Sequence, residues 1–173
     1  MLFRSPKMLR VGIISANPKT SPIWVAFIDR IRALGHFEGQ NFAVEFIQAS
    51  GQSEQYVEGM KEFVRRKADI LVATGNETAL KSAMAATNTL PIVMIAIDYD
   101  PFARGYVSSL ARPGGNVTGV FFQQIELTMK RLQLMKEAIP GMKVATVLWD
   151  RTDRKSTRLN SSHIQKSRMP SSA

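Results

Sequence analysis

Short apolar runs alternate along this chain with segments of helical periodicity, and this alternation constrains the fold more than any other feature. A chain that repeats strand, helix, strand in this way forms right-handed crossovers and a parallel sheet that helices cover on both faces. The sequence therefore predicts an α/β, doubly wound domain. The predicted strands are residues 9–15, 42–48, 69–73, 91–97, 117–122 and 143–149.

Amphipathic segments between these runs predict four helices. Before the first of them, Ser21 provides an N-cap and Pro22 occupies the first helical position. Ser53 is predicted to cap the second helix, the third covers residues 77–87, and the fourth has its apolar residues spaced through 125–139. The apolar stripe of the first helix consists of Trp24, Phe27, Ile28, Ile31 and Leu34.

The formal charge of +9 is concentrated near the ends of the chain. Residues 153–173 carry a net charge of +4, and the much longer segment 6–152 carries only +4 as well. This balance is ordinary for a soluble domain, so no nucleic-acid partner is predicted. No apolar run approaches the roughly 18 residues that a membrane helix needs, so no membrane span is predicted either.

The residue types that carry most catalytic and metal chemistry are sparse. Cysteine is absent, and the two histidines, His36 and His163, lie far apart in sequence, so no metal site is predicted. The motifs GxGxxG, GxSxG and the P-loop are absent as well, so we predict no cofactor and no catalytic residue. The glycines of 111–119 precede a strand and open no helix, which indicates loop geometry.

Both ends of the chain resemble translated sequencing adapters. The string DRKSTRLNSSH begins at Asp153, SRMPSSA follows in the same frame, and MLFRS at the start is similar to the opposite adapter. We therefore expect 1–5 and 153–173 to be cloning or assembly artefacts, with 153–173 disordered. A genuine basic tail that contacts RNA or lipid is the alternative. Since the natural N-terminus is then expected to be missing, the absence of a signal peptide carries no information about compartment.

Candidate ligand-binding residues follow from the predicted sheet, because such sheets bind ligands beyond the carboxyl ends of their strands. Hydroxyl groups, an amide and helix N-terminal N–H groups at that edge can hold a carboxylate. Structural roles are open too: Asn76 as an N-cap, Asn17 in a turn, and Asp100 as a turn or cap residue. The predicted ligand-binding residues are Ser15, Ala16, Asn17, Thr74, Gly75, Asn76, Asp98 and Tyr99.

Residues 8–150 resemble the substrate-binding protein family of bacterial ABC transporters, whose members have two flavodoxin-like lobes. The most specific segment is SLARPGGNVTG, and the supporting segments are LRVGIIS, LGHFEGQNFAVEFIQASG, ADILVATGNETAL, LPIVMIAIDYDP and KVATVLWD. The resemblance implies a lobe like that of type I periplasmic binding proteins at 6–122. It also implies that a second lobe begins at 123–152 and is truncated.

The same resemblance implies an extracytoplasmic or periplasmic protein, in many members a lipoprotein, that captures an amino-acid-like solute and works with an ABC permease. It implies no enzyme activity. A ligand-sensing input domain of a signalling receptor and a small α/β enzyme are the alternatives. The segment Asp98-Tyr99-Asp100-Pro101 is one residue longer than in common members. Its extra carboxylate would favour a cationic amine, or Tyr99 would stack on an apolar ligand.

Overall fold

The described part of this computed structural model is a sheet of five parallel strands with four helices, within residues 8–97, 99–109, 111–122, 124–142 and 144. The strand order is β2-β1-β3-β4-β5. Contacts divide the chain into two units, Met1–Gln124 and Ile125–Ala173, and the sheet lies in the first. The elements are β1 (Leu9–Ser15), α1 (Pro22–Ala33), β2 (Phe42–Gln48), α2 (Ser53–Arg65), β3 (Ile70–Gly75), α3 (Glu77–Ala86), β4 (Ile92–Ala96), β5 (Val117–Phe121) and α4 (Gln124–Ala138).

Apolar side chains cover the sheet on both faces. On the first face, called the α1 face below, Trp24 of α1 packs in a cluster with Ile13. On the opposite face, called the α2–α3 face, Tyr56 and Phe63 of α2 pack in a second cluster with Ile14. Consecutive residues of β1 thus contribute to opposite clusters, as the alternation of side chains along a strand requires. The doubly wound α/β class predicted from the sequence is confirmed.

The helix starts agree closely with the local sequence signals, and the deviations are small. Ser21 is the N-cap residue of α1 and Pro22 the first helical residue, as predicted, although the Ser21 side chain makes no capping hydrogen bond. The prediction that Leu34 belongs to the buried stripe is wrong, because α1 ends at Ala33 and Leu34 is 60% exposed. The prediction for α2 is wrong by one residue, since Ser53 is the first helical residue and not the cap.

Strand β3 ends two residues later than the apolar pattern predicts. Thr74 and Gly75, placed after the strand by the sequence, pair with Ile95 and Ala96 of β4 and therefore belong to it. The neighbouring strand supplies backbone hydrogen bonds that a polar or small side chain does not prevent. Of the predicted strand 143–149 only residue 144 is described, and both predicted adapter segments lie outside the described residues. The predicted domain boundaries stay predictions.

Two glycines allow close contacts that position the sheet. A Cβ atom at Gly12 of β1 would lie 2.5 Å from Cγ of Phe63, so the missing side chain lets α2 pack directly on the strand. Gly119 of β5 has a φ of +147°, and a Cβ atom there would lie 1.9 Å from the carbonyl oxygen of Met94. The pairing of β5 with β4 therefore requires glycine at this position.

Candidate functional site

The strand order reverses between β1 and β3, and this is where the topology places a ligand site. From β1 the chain moves outward to β2 and then returns to β3 on the other side of β1. In open α/β sheets, loops that leave the carboxyl ends of two such strands diverge and leave a crevice between them. We call residues Ser15–Asn17 and Thr74–Asn76 at this crevice the switch-point edge. Six of the eight predicted ligand-binding residues lie there.

Ser15 and Thr74 are neighbours at this edge. Ile14 of β1 and Ala73 of β3 are partners in the parallel ladder, and Ser15 and Thr74 are the next residue of each strand. Since Ile14 and Ala73 belong to the α2–α3 cluster, the alternation of side chains directs Ser15 and Thr74 towards the α1 face. The register thus brings two hydroxyl groups together at the carboxyl ends of adjacent strands.

The Ser15 side chain is enclosed, with 2% of the residue exposed. Its Oγ accepts a hydrogen bond from Nε1 of Trp24 at 3.2 Å and another from the backbone N–H of Asn17 at 3.1 Å. The second bond closes a tight turn, so that Ala16 and Asn17 are presented at the surface. Ser15 therefore shapes the loop after β1 as well as lying beside Thr74.

The Thr74 hydroxyl donates to the carbonyl oxygen of Ile14 at 3.2 Å, and the residue is 9% exposed. Gly75 follows with a φ of +88°, which lets the chain turn sharply out of β3. Beyond it, Asn76 begins α3 as its N-cap. The loop after β3 is therefore short, and the turn at Gly75 and the cap at Asn76 fix the path of its backbone.

The amide of Asn76 makes two contacts within the fold. Its Oδ1 accepts from the backbone N–H of Ala79 at 2.9 Å, and its Nδ2 donates to the hydroxyl of Tyr56 at 3.4 Å. The N-cap role expected for Asn76 is confirmed. Backbone N–H groups in the first turn of a helix have no partner within the helix, and α3 presents its first turn at this edge. The backbone of α3, more than the Asn76 amide, is therefore suited to a polar ligand group.

The segment after β4 is placed differently from the other two. Asp98 lies outside the described residues. Tyr99 is 7% exposed and belongs to the α2–α3 cluster, where its ring meets the Tyr106 ring edge-on at a centroid distance of 6.1 Å. Oδ1 of Asp100 accepts from the backbone N–H groups of Phe102 and Ala103, which confirms its expected turn role. Burial of Tyr99 favours a packing role for its ring.

A buried carboxylate links α3 to the segment between β4 and β5. Glu77 is 3% exposed, and its Oε1 accepts from the Tyr106 hydroxyl at 2.7 Å. Lys81 and Arg104 lie 3.4 and 3.5 Å from the same oxygen, so two cations compensate the buried charge. Burial, and then the hydrogen bond to Glu77, raise the pKa of Tyr106 to about 12. The hydroxyl therefore remains protonated at neutral pH and holds this segment against α3.

Three contacts at or near the switch-point edge were not predicted from the sequence: those of Trp24, Tyr56 and the Glu77–Tyr106 pair. The apolar stripe of α1 indicated that Trp24 is buried, and α2 likewise indicated burial of Tyr56. Helical periodicity identifies a buried face, but it does not identify the polar atom that an indole N–H or a phenol meets there. No sequence signal joins Glu77 to a tyrosine 29 residues away.

The loop that contains Gly114 and Asn116 is fixed to the sheet by hydrogen bonds within the fold. Nδ2 of Asn116 donates to the carbonyl oxygen of Leu90 at 2.8 Å, and its own carbonyl accepts from the N–H of Ile92 at 2.8 Å. These two bonds hold the start of β4 beside the start of β5. Gly114 has a φ of +88°, which confirms loop geometry as the reason for a glycine there.

Elsewhere on the described surface, a shallow groove of about 380 Å³ lies along α2 and the end of α3. The groove lies among exposed charged side chains, including Lys61, which pairs with Glu58 at 2.9 Å. Ion pairs of this exposed kind contribute little to stability, and Arg65 of the groove is likewise paired, with Glu62. We therefore place the candidate site at the switch-point edge and not in this groove.

Within the described residues, no group of three or more His, Cys, Asp or Glu side chains could hold a metal ion. The helices of the same described part include none that is long and apolar enough to cross a membrane. What the switch-point edge offers is hydroxyl groups and backbone N–H groups, which can hydrogen-bond a small polar molecule. Fold and edge together define a doubly wound α/β lobe of the ligand-binding class.

Comparison with known proteins identifies the family. Residues 11–166 match the model of the ABC transporter substrate binding protein family, and the chain belongs to this family. A curated tyrosine-binding protein of Clostridioides difficile is 30% identical over 152 residues, which are 86% of this chain and 43% of that protein. The chain therefore spans less than half the length of this relative. The family is one of substrate-binding proteins and not of enzymes.

Solved structures show the same architecture. A conserved domain protein from Vibrio cholerae is similar with a TM-score of 0.69 and 26% identity, over 91% of this chain and 52% of that one. The ABC domain from Streptococcus pneumoniae, solved in complex with L-Trp, is similar with a TM-score of 0.58 and 25% identity, over 66% of this chain and 39% of that one. The fold resemblance inferred from the sequence is confirmed.

Proposed function

We propose that this chain is the solute-binding component of an ABC importer, and that it captures an amino-acid-like solute in a cleft between two lobes. The observation that carries this proposal is the switch-point edge, where Ser15 and Thr74 occupy adjacent strand ends and α3 begins directly after β3. The relatives named for tyrosine binding and solved with L-Trp support an amino acid as the solute class. An ABC permease would be the partner.

The proposed site uses Ser15–Asn17 and Thr74–Asn76 to bind the polar end of the ligand. Asp98 remains a proposed contact, and Tyr99 is proposed to act by holding the edge in place, since the residue is only 7% exposed. Family membership supports an extracytoplasmic location, with lipid anchoring as a further proposal. No catalytic group is proposed.

A solute held between two lobes makes only part of its contacts with either lobe. Since the chain spans 43% of its tyrosine-binding relative, we expect it to bind an amino acid weakly, in the millimolar range. The test is a titration of the ¹⁵N-labelled chain with L-tryptophan and L-tyrosine, followed by ¹H–¹⁵N correlation spectra. We expect shifts at residues 15–17 and 74–77.

Two variants locate the contact within the edge. Thr74→Ala should weaken L-tryptophan binding by about tenfold, because a hydrogen bond to a charged group contributes roughly 1.5–3 kcal/mol. Asn116→Ala should leave the affinity within twofold, since that side chain bonds to Leu90 instead. A larger loss for Asn116→Ala than for Thr74→Ala would move the site to the loop before β5. Binding of neither amino acid would overturn the amino-acid proposal, and micromolar binding would contradict the two-lobe cleft.

A further inference from the structure

The Ser15 hydroxyl already takes part in two hydrogen bonds, and the chemical nature of each partner shows which group donates. A hydroxyl group has two accepting positions and one proton to donate. The indole N–H of Trp24 and the backbone N–H of Asn17 can only donate, so Oγ of Ser15 accepts both. Its accepting positions are therefore occupied. The proton of Ser15 is left, and both side-chain bonds given for Ser15 within the described residues are ones that it accepts.

Thr74 donates its hydrogen bond within the fold, whereas Ser15 accepts both of its bonds. The carbonyl oxygen of Ile14 can only accept, so the Thr74 hydroxyl uses its one O–H to donate a hydrogen bond to it. What Thr74 can still offer is its accepting positions. From the sequence we expect both hydroxyl groups to donate to a carboxylate. The Thr74 hydroxyl does not, because it donates to the carbonyl oxygen of Ile14 in the neighbouring strand β1. The edge thus places one donor next to one acceptor.

We propose that Trp24 is a positioning residue for the ligand site, acting through Ser15. Its indole N–H holds the Ser15 hydroxyl in the rotamer that directs the remaining proton towards an acceptor oxygen of the solute, such as a carboxylate oxygen. The inference rests on the proposed function, since it assigns a role within the same site. Without the indole donor, only the N–H of Asn17 would hold the hydroxyl, and its proton could turn to another acceptor.

The packing of Trp24 suits this role. The residue is 3% exposed, and its ring meets those of Phe27 and Phe46 edge-on at centroid distances of 5.8 and 5.6 Å. Contacts with two aromatic neighbours keep the indole from turning. Ser15 also fixes the loop after β1, because its Oγ accepts from the backbone N–H of Asn17 and holds the exposed turn beside it.

A double-mutant cycle in the 173-residue chain tests the proposal, with L-tryptophan as the ligand and chemical shifts as the affinity measurement. Trp24→Phe keeps a six-membered aromatic ring in the cluster and removes the indole N–H together with the rest of the five-membered ring. We expect Trp24→Phe and Ser15→Ala each to weaken binding about fivefold to tenfold. In the Ser15→Ala background, Trp24→Phe should weaken binding less than twofold further, because the hydroxyl it positions is gone.

The indole resonances provide a second measurement that does not require the Trp24 variant to fold. The chain has two tryptophans, Trp24 and Trp149, and Trp149→Phe assigns their signals. We expect the Trp24 indole N–H signal to shift on addition of L-tryptophan in the unsubstituted chain and to stay in place in Ser15→Ala. As a control, Asn116→Ala, which removes the bond to Leu90, should lower thermal stability and leave affinity within twofold.

The outcomes separate this inference from the proposed function. If the unsubstituted chain binds L-tryptophan and the two substitutions weaken binding independently, the positioning role of Trp24 is wrong while the proposed function stands. An indole signal of Trp24 that ignores the ligand would overturn the role in the same way. If the unsubstituted chain binds neither L-tryptophan nor L-tyrosine, the proposed function and this inference fall together.

Discussion

Replacing Asn116 by alanine removes the hydrogen bond that its Nδ2 donates to the carbonyl oxygen of Leu90 at 2.8 Å. The backbone bond from Ile92 to the Asn116 carbonyl remains, because it does not involve the side chain. A neutral hydrogen bond contributes about 0.5–1.5 kcal/mol, and water can partly replace the lost donor since the site is only half-buried. We therefore expect the free energy of unfolding to fall by about 1 kcal/mol. For a chain of this size, that lowers the melting temperature by roughly 2–4 °C.

The assay is thermal unfolding followed by circular dichroism, with Asn88→Ala as the matched control. Asn88 is an exposed asparagine in the loop before β4, so its replacement should change stability by less than about 0.5 kcal/mol. The Asn116 reasoning is refuted if both variants melt within 1 °C of each other, a margin of roughly 0.3–0.5 kcal/mol on the same scale. Such a result would mean that the bond to Leu90 does not hold β4 and β5 together.

Three further predictions concern packing and charge. Gly119→Ala should lower the free energy of unfolding, measured by urea titration, by about 3 kcal/mol or more. Gly35→Ala, at a position with open space around it, should lower it by about 1 kcal/mol. Equal losses would contradict the close approach of β5 to a backbone carbonyl oxygen. Gly12→Ala should cost about 1–3 kcal/mol through overpacking, and Phe63→Leu should be less damaging in that background than alone. The pKa of Tyr106 is raised from 10.0 to about 12 in the folded chain, mainly by burial, so its stabilising contribution is complete below pH 10 and is lost as the pH rises to 12. Unfolding measured across this range should show a steeper decline for the unsubstituted chain than for Tyr106→Phe.

Local sequence determined the elements and the two-sided character of the sheet. The apolar stripe with Trp24 and the cap and proline at Ser21 and Pro22 are properties of neighbouring residues, and α1 forms where they place it. Asn76 was identifiable as an N-cap for the same reason, since a cap bonds to the helix turn beside it. Alternating strands and helices of this length leave few topologies, so the doubly wound class followed as well.

Tertiary structure decided the end of β3 and the polarity of the site. The apolar run ends at Ala73, but pairing with β4 extends the ladder through Gly75, and the carbonyl oxygen of Ile14 in β1 accepts from the Thr74 hydroxyl. Trp24 and Ser15 became hydrogen-bond partners only when α1 folded over β1. Periodicity reports which side of an element is buried, because burial depends on the spacing of residues along the chain. The partner of a buried polar atom depends on which elements meet, and the strand order decides that.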